Sequence, residues 1–93
     1  MRGYSMHKDD YGKRLRRIEG QVRGLQRMIE DDVYCVDILT QIASVTKALQ
    51  GVGLGLLDEH LRHCVMQAAA ADPQAGADKV HEAVQAVERL LKA

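Results

Sequence analysis

The sequence predicts an all-α protein, a three-helix protomer built on one long central helix. Between Val33 and about Ala70 the chain holds no proline, and Ile38, Ile42, Val45, Leu49, Val52 and Leu56 recur in steps of four and three, the period of one helical face. The composition agrees. Apolar residues make up 46% of the chain, yet Tyr4, Tyr11 and Tyr34 are its only aromatics, which suits helices packed through Leu, Ile, Val and Ala better than a β-sandwich. With 93 residues, the expectation is one domain, residues 1–93, near the lower size at which a chain buries a core alone.

Residues 1–8 show no apolar period and are expected to be flexible. A first helix is predicted from Asp9 to Glu30, where Tyr11, Leu15, Ile18, Val22, Leu25 and Ile29 form an apolar stripe. Lys13, Arg16, Arg17, Arg23 and Arg27 lie opposite, with Arg14 at the edge. Gly20 and Gly24 fall inside this basic face, where a bare backbone lets a phosphate strand approach. Asp31 and Asp32 are expected to cap the start of the long helix. That places Cys35 in its first turn, where the helix dipole favours thiolate.

As a single α-helix, residues 33–70 would run roughly 57 Å. Gly51, Gly53 and Gly55 are its weakest point. They allow either a hairpin or a close helix crossing; the apolar period crosses them in phase, with no Pro, Asn or Asp beside them, which favours continuity. Asp72-Pro73-Gln74-Ala75-Gly76 reads as a loop, with Asp72 or Asp78 as a cap. A third helix follows over about 77–92, with Val80, Val84, Val87 and Leu91 on one face.

No apolar run approaches the ~20 residues of a membrane span, and the N-terminus has no apolar secretion segment, so the expected compartment is the cytoplasm. There, two cysteines are more readily metal ligands or redox thiols than a disulfide. Net charge is zero, but residues 1–30 carry eight Lys/Arg against four Asp/Glu (+4) and the remainder five against nine (−4). A basic arm on a neutral chain calls for an anionic partner. Nucleic acid, held by phosphates, is the natural one. No helix-turn-helix signature or aromatic stacking platform is present.

Cys35 and the pair His60-x-x-x-Cys64 carry the remaining chemistry. An i, i+4 His/Cys pair shares a helical face and can hold one ion. Two thiolates and an imidazole are soft donors suited to Cu(I) or Zn(II); the bland alternative is two core cysteines and a surface histidine. Along a straight helix Cys35 and His60 are roughly 37 Å apart. Two antiparallel copies crossing near Ala48 to Leu49 would bring Cys35 of one to His60 and Cys64 of the other, twice by symmetry. His63 is a further ligand or a solvated histidine, and spacing assigns no role to His7 or His81. A Cys–His pair also serves nucleophilic catalysis, but no orienting triad, glycine-rich loop or oxyanion element accompanies it. The chain therefore does not read as an enzyme, and no small-molecule substrate is expected.

Taken together, RLRRIEGQVRGLQRMIEDD, VYCVDILTQI and EHLRHC resemble the copper-sensing repressor family (CsoR type, within the wider CsoR/RcnR group), over roughly residues 8–92. The resemblance implies a three-helix protomer, an antiparallel four-helix-bundle homodimer and commonly a homotetramer made of two dimers. It implies a repressor that binds operator DNA when metal-free and leaves it on binding Cu(I), so that copper-export genes are expressed. By position, Cys35 of one protomer with His60 and Cys64 of the other are the implied ligands. Tyr34 and Glu82 match residues that hydrogen-bond near the liganding histidine, and Arg14 matches a DNA-contacting residue of the first helix. Nickel or cobalt sensors of this group typically have His where Cys64 stands, persulfide sensors lack the histidine at position 60, and formaldehyde sensors use an N-terminal proline. Members often carry a basic residue near the middle of helix two, where this chain has Gly51, and Lys47 is the nearest substitute. Two other readings are a thiol-based redox or sulfur-species sensor of the same fold, and a helical copper- or zinc-buffering protein without a DNA role.

Overall fold

The computed structural model describes residues 7–92, and among them every regular element is helical. The order is α1 (Lys8–Glu30), α2 (Cys35–Glu59), a π-helical segment (His60–Val65), α3 (Met66–Ala71) and α4 (Pro73–Lys92). From residue 35 to 71 helical structure is continuous, as the unbroken apolar period predicts, and Gly51, Gly53 and Gly55 all lie inside α2 rather than in a hairpin. Of the segment expected to be flexible, residues 1–6 lie outside the described residues; Lys8 is already helical. None of the described helices is long and apolar enough to cross a membrane. The described chain divides into two compact units, residues 7–54 and 55–92.

In residues 7–54, Ile18 of α1 packs with Val45 and Val52 of α2, flanked by Tyr11, Leu25 and Ala48. Each such buried Ile or Val contributes roughly 1.5–3 kcal/mol. Each predicted stripe splits into two lines of seven-residue spacing. On α1 the line Tyr11, Ile18, Leu25 is covered, while Leu15, Val22 and Ile29 remain exposed. On α2, Ile38, Val45 and Val52 are buried and Ile42 and Leu49 stay exposed, joined by Leu39.

Asp31 and Asp32 do not cap α2; they end α1. Asp32 has φ 55°, the left-handed conformation usually left to glycine. The Val33 N–H donates to the Met28 carbonyl at 3.0 Å and the Asp32 N–H to that of Ile29 at 3.2 Å, the paired bonds of a Schellman motif. The start of α2 is satisfied instead through the Tyr34 carbonyl, which accepts from Asp37 N–H at 3.0 Å and Ile38 N–H at 3.3 Å.

In residues 55–92, α4 packs on the π-helical segment and on α3. The stretch read as a loop is a single corner residue. Asp72 is extended (φ −159°, ψ 119°), its Oδ1 accepts from Gln74 N–H at 3.2 Å, and its carbonyl accepts from Gly76 N–H at 3.2 Å. Pro73 is the first helical residue, where its missing N–H leaves no bond unmade. Gly76 is where α4 crosses α3: a Cβ there would lie 2.5 Å from Ala69 Cβ and 2.8 Å from Ala69 Cα. The covered face of α4 is accordingly made of small residues, Gly76 and Ala83, with Val87 half-buried. Of the four residues read as sharing one face of this helix, Val80, Val84 and Leu91 stay exposed.

Candidate metal centre and nucleic-acid interface

Cys35 is the first residue of α2 and is exposed, as is Tyr34 before it. Counting about 100° per residue from Cys35, Leu39, Ile42 and Leu49 fall within ~40° of it. The thiol therefore stands on the exposed apolar line, not the buried one.

His60 and Cys64 both belong to the π-helical segment His60–Val65, and both are half-buried. A π-turn carries an extra residue and recurs at functional sites. The His60 imidazole is oriented by α4, since its Nε2 lies 3.3 Å from the Lys79 carbonyl oxygen. A carbonyl can only accept, so Nε2 is the donor in this bond, and Nδ1 is the ring nitrogen it leaves for a metal. Glu82, one turn further along α4, pairs with the Lys79 ammonium at 3.3 Å. The candidate histidine is thus tied to the turn of α4 that carries Glu82. Lys79 was missed in the sequence because it acts through its main chain, for which no residue type is a signal.

Both cysteines are free thiols. Among the described residues no three His, Cys, Asp or Glu side chains are gathered as one ion would need. Two thiols and an imidazole make a donor set that suits a soft ion. His63 is half-buried and His81 exposed.

The basic face of α1 forms as the sequence indicates. Lys13, Arg16, Arg17, Arg23 and Arg27 are exposed, and so is Lys47 on α2. Arg23 pairs with Glu19 at 3.2 Å, with both side chains more than 60% exposed (63% and 68%), a contact worth well under ~1 kcal/mol and easily exchanged for a phosphate. Packing does not demand the glycines of this face. A Cβ at Gly24 would meet nothing within 4 Å, and one at Gly20 only the Arg23 Nη2 at 3.8 Å. Acids bracket the cations: Asp9 and Asp10 stand in the first turn of α1, and Glu30, Asp31 and Asp32 at its end.

Arg14 stands apart from the others. It is half-buried, its guanidinium carbon lies 5.9 Å from the Tyr11 ring centroid, and its Nη2 lies 3.1 Å from where a Cβ on Gly51 would be. Tyr11 three residues before Arg14 was the legible part of this arrangement. The approach to Gly51 was not.

The family model described as metal-sensitive transcriptional repressor matches residues 7–92. The chain is 57% identical over 90 residues to the copper-sensing transcriptional repressor RicR of Mycobacterium tuberculosis, covering 97% of this chain and 94% of that one. It is 48% identical over 87 residues to the copper-sensing transcriptional repressor CsoR of Bacillus subtilis, covering 94% and 77%. Its fold is similar to the crystal structure of the copper-sensing repressor CsoR with Cu(I) from Geobacillus thermodenitrificans NG80-2, with a TM-score of 0.82, 40% identity, and coverage of 94% of this chain and 88% of that one. The chain belongs to the metal-sensitive transcriptional repressors, regulators of transcription rather than enzymes.

Proposed function

We propose that this chain is a Cu(I)-responsive repressor, which holds operator DNA when metal-free and releases it on binding Cu(I), so that copper-export or resistance genes are expressed. The observation that carries the reading is the donor set. His60 has its Nε2 engaged by the Lys79 carbonyl, leaving Nδ1 open, and a half-buried thiol, Cys64, follows four residues on. The third soft donor is Cys35, supplied by a second copy of the chain. Cys35 of one protomer with His60 and Cys64 of its partner makes two equivalent sites per homodimer, and two thiolates with one imidazole suit three-coordinate Cu(I). Tyr34 and Glu82 support the histidine from the outside.

The partner is also what the exposed apolar lines call for. Leu15, Val22 and Ile29 on α1 and Leu39, Ile42 and Leu49 on α2 are each more than 40% exposed in the single chain. A second hairpin laid antiparallel on them gives a four-helix bundle. The exposed Val80, Val84 and Leu91 of α4 supply a further surface for pairing dimers into a homotetramer. The whole chain then works as one cytoplasmic metal-sensing, DNA-binding domain, with Lys13, Arg14, Arg16, Arg17, Arg23, Arg27 and Lys47 meeting phosphates. Linkage sets the scale: if copper lowers DNA affinity about 100-fold, DNA lowers copper affinity equally, a coupling of about 2.7 kcal/mol.

The test is an anaerobic Cu(I) titration of the protein bound to a fluorescein-labelled duplex from upstream of its own gene, followed by anisotropy. Metal-free wild type is expected to bind the duplex and leave it on copper addition. Cys35→Ala is expected to bind and stay. Release of the duplex by Cys35→Ala would overturn the ligand assignment, and a metal-free wild type that does not bind would overturn the repressor reading. The free thiols at Cys35 and Cys64 keep one second reading in play, a redox or sulfur-species sensor. It predicts release by oxidant and none by anaerobic Cu(I).

A further inference from the structure

We infer that Gly51 is a positioning residue for DNA recognition: the side chain it lacks leaves a seat for the Arg14 guanidinium, so that a cation rooted on α1 is presented at the surface of α2. The inference rests on the reading that the basic face of α1 meets DNA. Three observations within residues 7–54 converge on it. The Arg14 Nη2 lies 3.1 Å from the place a Gly51 Cβ would occupy, so the guanidinium lies against bare α2 backbone. The guanidinium also rests over the Tyr11 ring, 5.9 Å from the centroid, a distance at which a cation is held by the ring face. And Arg14 enters none of the ion pairs seen among the described residues, Arg23–Glu19, Arg62–Asp58 and Lys79–Glu82.

A half-buried guanidinium held by a ring and a bare turn, with no carboxylate paired to it among the described residues, is fixed in place with its charge unspent. Partial burial without a partner is unfavourable for a charge, and an arriving phosphate supplies that partner through the paired N–H donors of the guanidinium. Gly51 and Gly76 are both helical glycines in contact, but of opposite kinds. At Gly76 an added Cβ meets the backbone of Ala69, so that glycine serves packing. At Gly51 it meets only the end of a flexible side chain. Replacing Gly51 therefore leaves the fold intact, moves Arg14, and adds helix propensity.

The experiment is a double-mutant cycle on the full-length protein, with the same labelled duplex and anisotropy measured over a range of salt. Gly51→Leu fills the seat and is expected to weaken binding of the metal-free protein about tenfold, with the salt slope reduced by about one per displaced contact. Gly51→Ala, which displaces the guanidinium by less, is expected to fall between. In an Arg14→Ala background, itself weaker and flatter in salt, Gly51→Leu is expected to change nothing further. Far-UV circular dichroism and Cu(I) affinity are expected to stay at wild-type values in all variants. Equal weakening by Gly51→Leu in both backgrounds, or none in wild type, would overturn the inference and leave the repressor reading standing. A wild-type protein that does not bind the duplex would instead remove that reading.

Discussion

Replacing Gly76 by alanine tests whether the crossing of α3 and α4 holds the candidate metal ligand in place. The new Cβ would sit 2.5 Å from Ala69 Cβ, 2.8 Å from its Cα and 3.1 Å from its N, where carbon atoms rest at about 3.5–4.0 Å. Two of those three atoms are backbone, so rotamer adjustment cannot relieve the contact, and α4 must retreat by roughly 1 Å. Overpacking of this kind costs about 1–3 kcal/mol, against a gain of up to ~1 kcal/mol for alanine over glycine in a helix. The expected net loss is about 1–2 kcal/mol. At fixed protein concentration this lowers Tm by roughly 4–15 °C, measured by circular dichroism melts. Gly24→Ala is the matched control: nothing lies within 4 Å of its added Cβ, so it should stabilise by about 0.5–1 kcal/mol. Lys79, whose carbonyl meets His60 Nε2 at 3.3 Å, follows Gly76 by three residues on the same helix. Loosening that bond should therefore lower Cu(I) affinity by about 10–100-fold. A Gly76→Ala protein that melts at or above the wild-type temperature would refute the close crossing, and unchanged Cu(I) affinity in a destabilised variant would refute its link to the site.

Asp32→Gly should stabilise the chain by about 1 kcal/mol in a urea titration, because it relieves a left-handed non-glycine residue and removes a carboxylate from the negative end of α1; a loss of stability would count against the Schellman ending. Leu49→Glu places a charge on the exposed line of α2 and should weaken self-association about tenfold or more while leaving helix content unchanged. Sedimentation velocity at several concentrations reads this directly, and wild-type sedimentation would remove that line from the dimer interface.

The helices were legible because a seven-residue apolar repeat has no other stable reading. Which half of each stripe is covered was not. Hydropathy treats Ile18 and Val22 alike, and only the way one hairpin's ridges meet decides that the first is buried and the second left over. Asp31-Asp32 misled because aspartate serves both helix ends: its usual place is the N-cap, but its short polar side chain also tolerates positive φ. Pro73 was read as loop because proline is common just beyond a helix; with Asp72 as cap it is equally at home on the first helical turn. Cys35, His60 and Cys64 stood out by residue type and spacing. The π-turn that carries two of them left no trace, since an inserted residue in a helix changes geometry without changing composition.

If the basic face of α1 meets DNA as proposed, the acids bracketing it also limit the size of what it grips. Between Lys13 and Arg27 the cations span fourteen helical steps, about 21 Å, and beyond each end a carboxylate group repels a continuing phosphate chain. At 3.4 Å per base pair that tract matches about six pairs of duplex. On the proposed reading, each helix then has a footprint of little more than half a turn of the double helix, and a longer operator is covered by setting several such helices side by side.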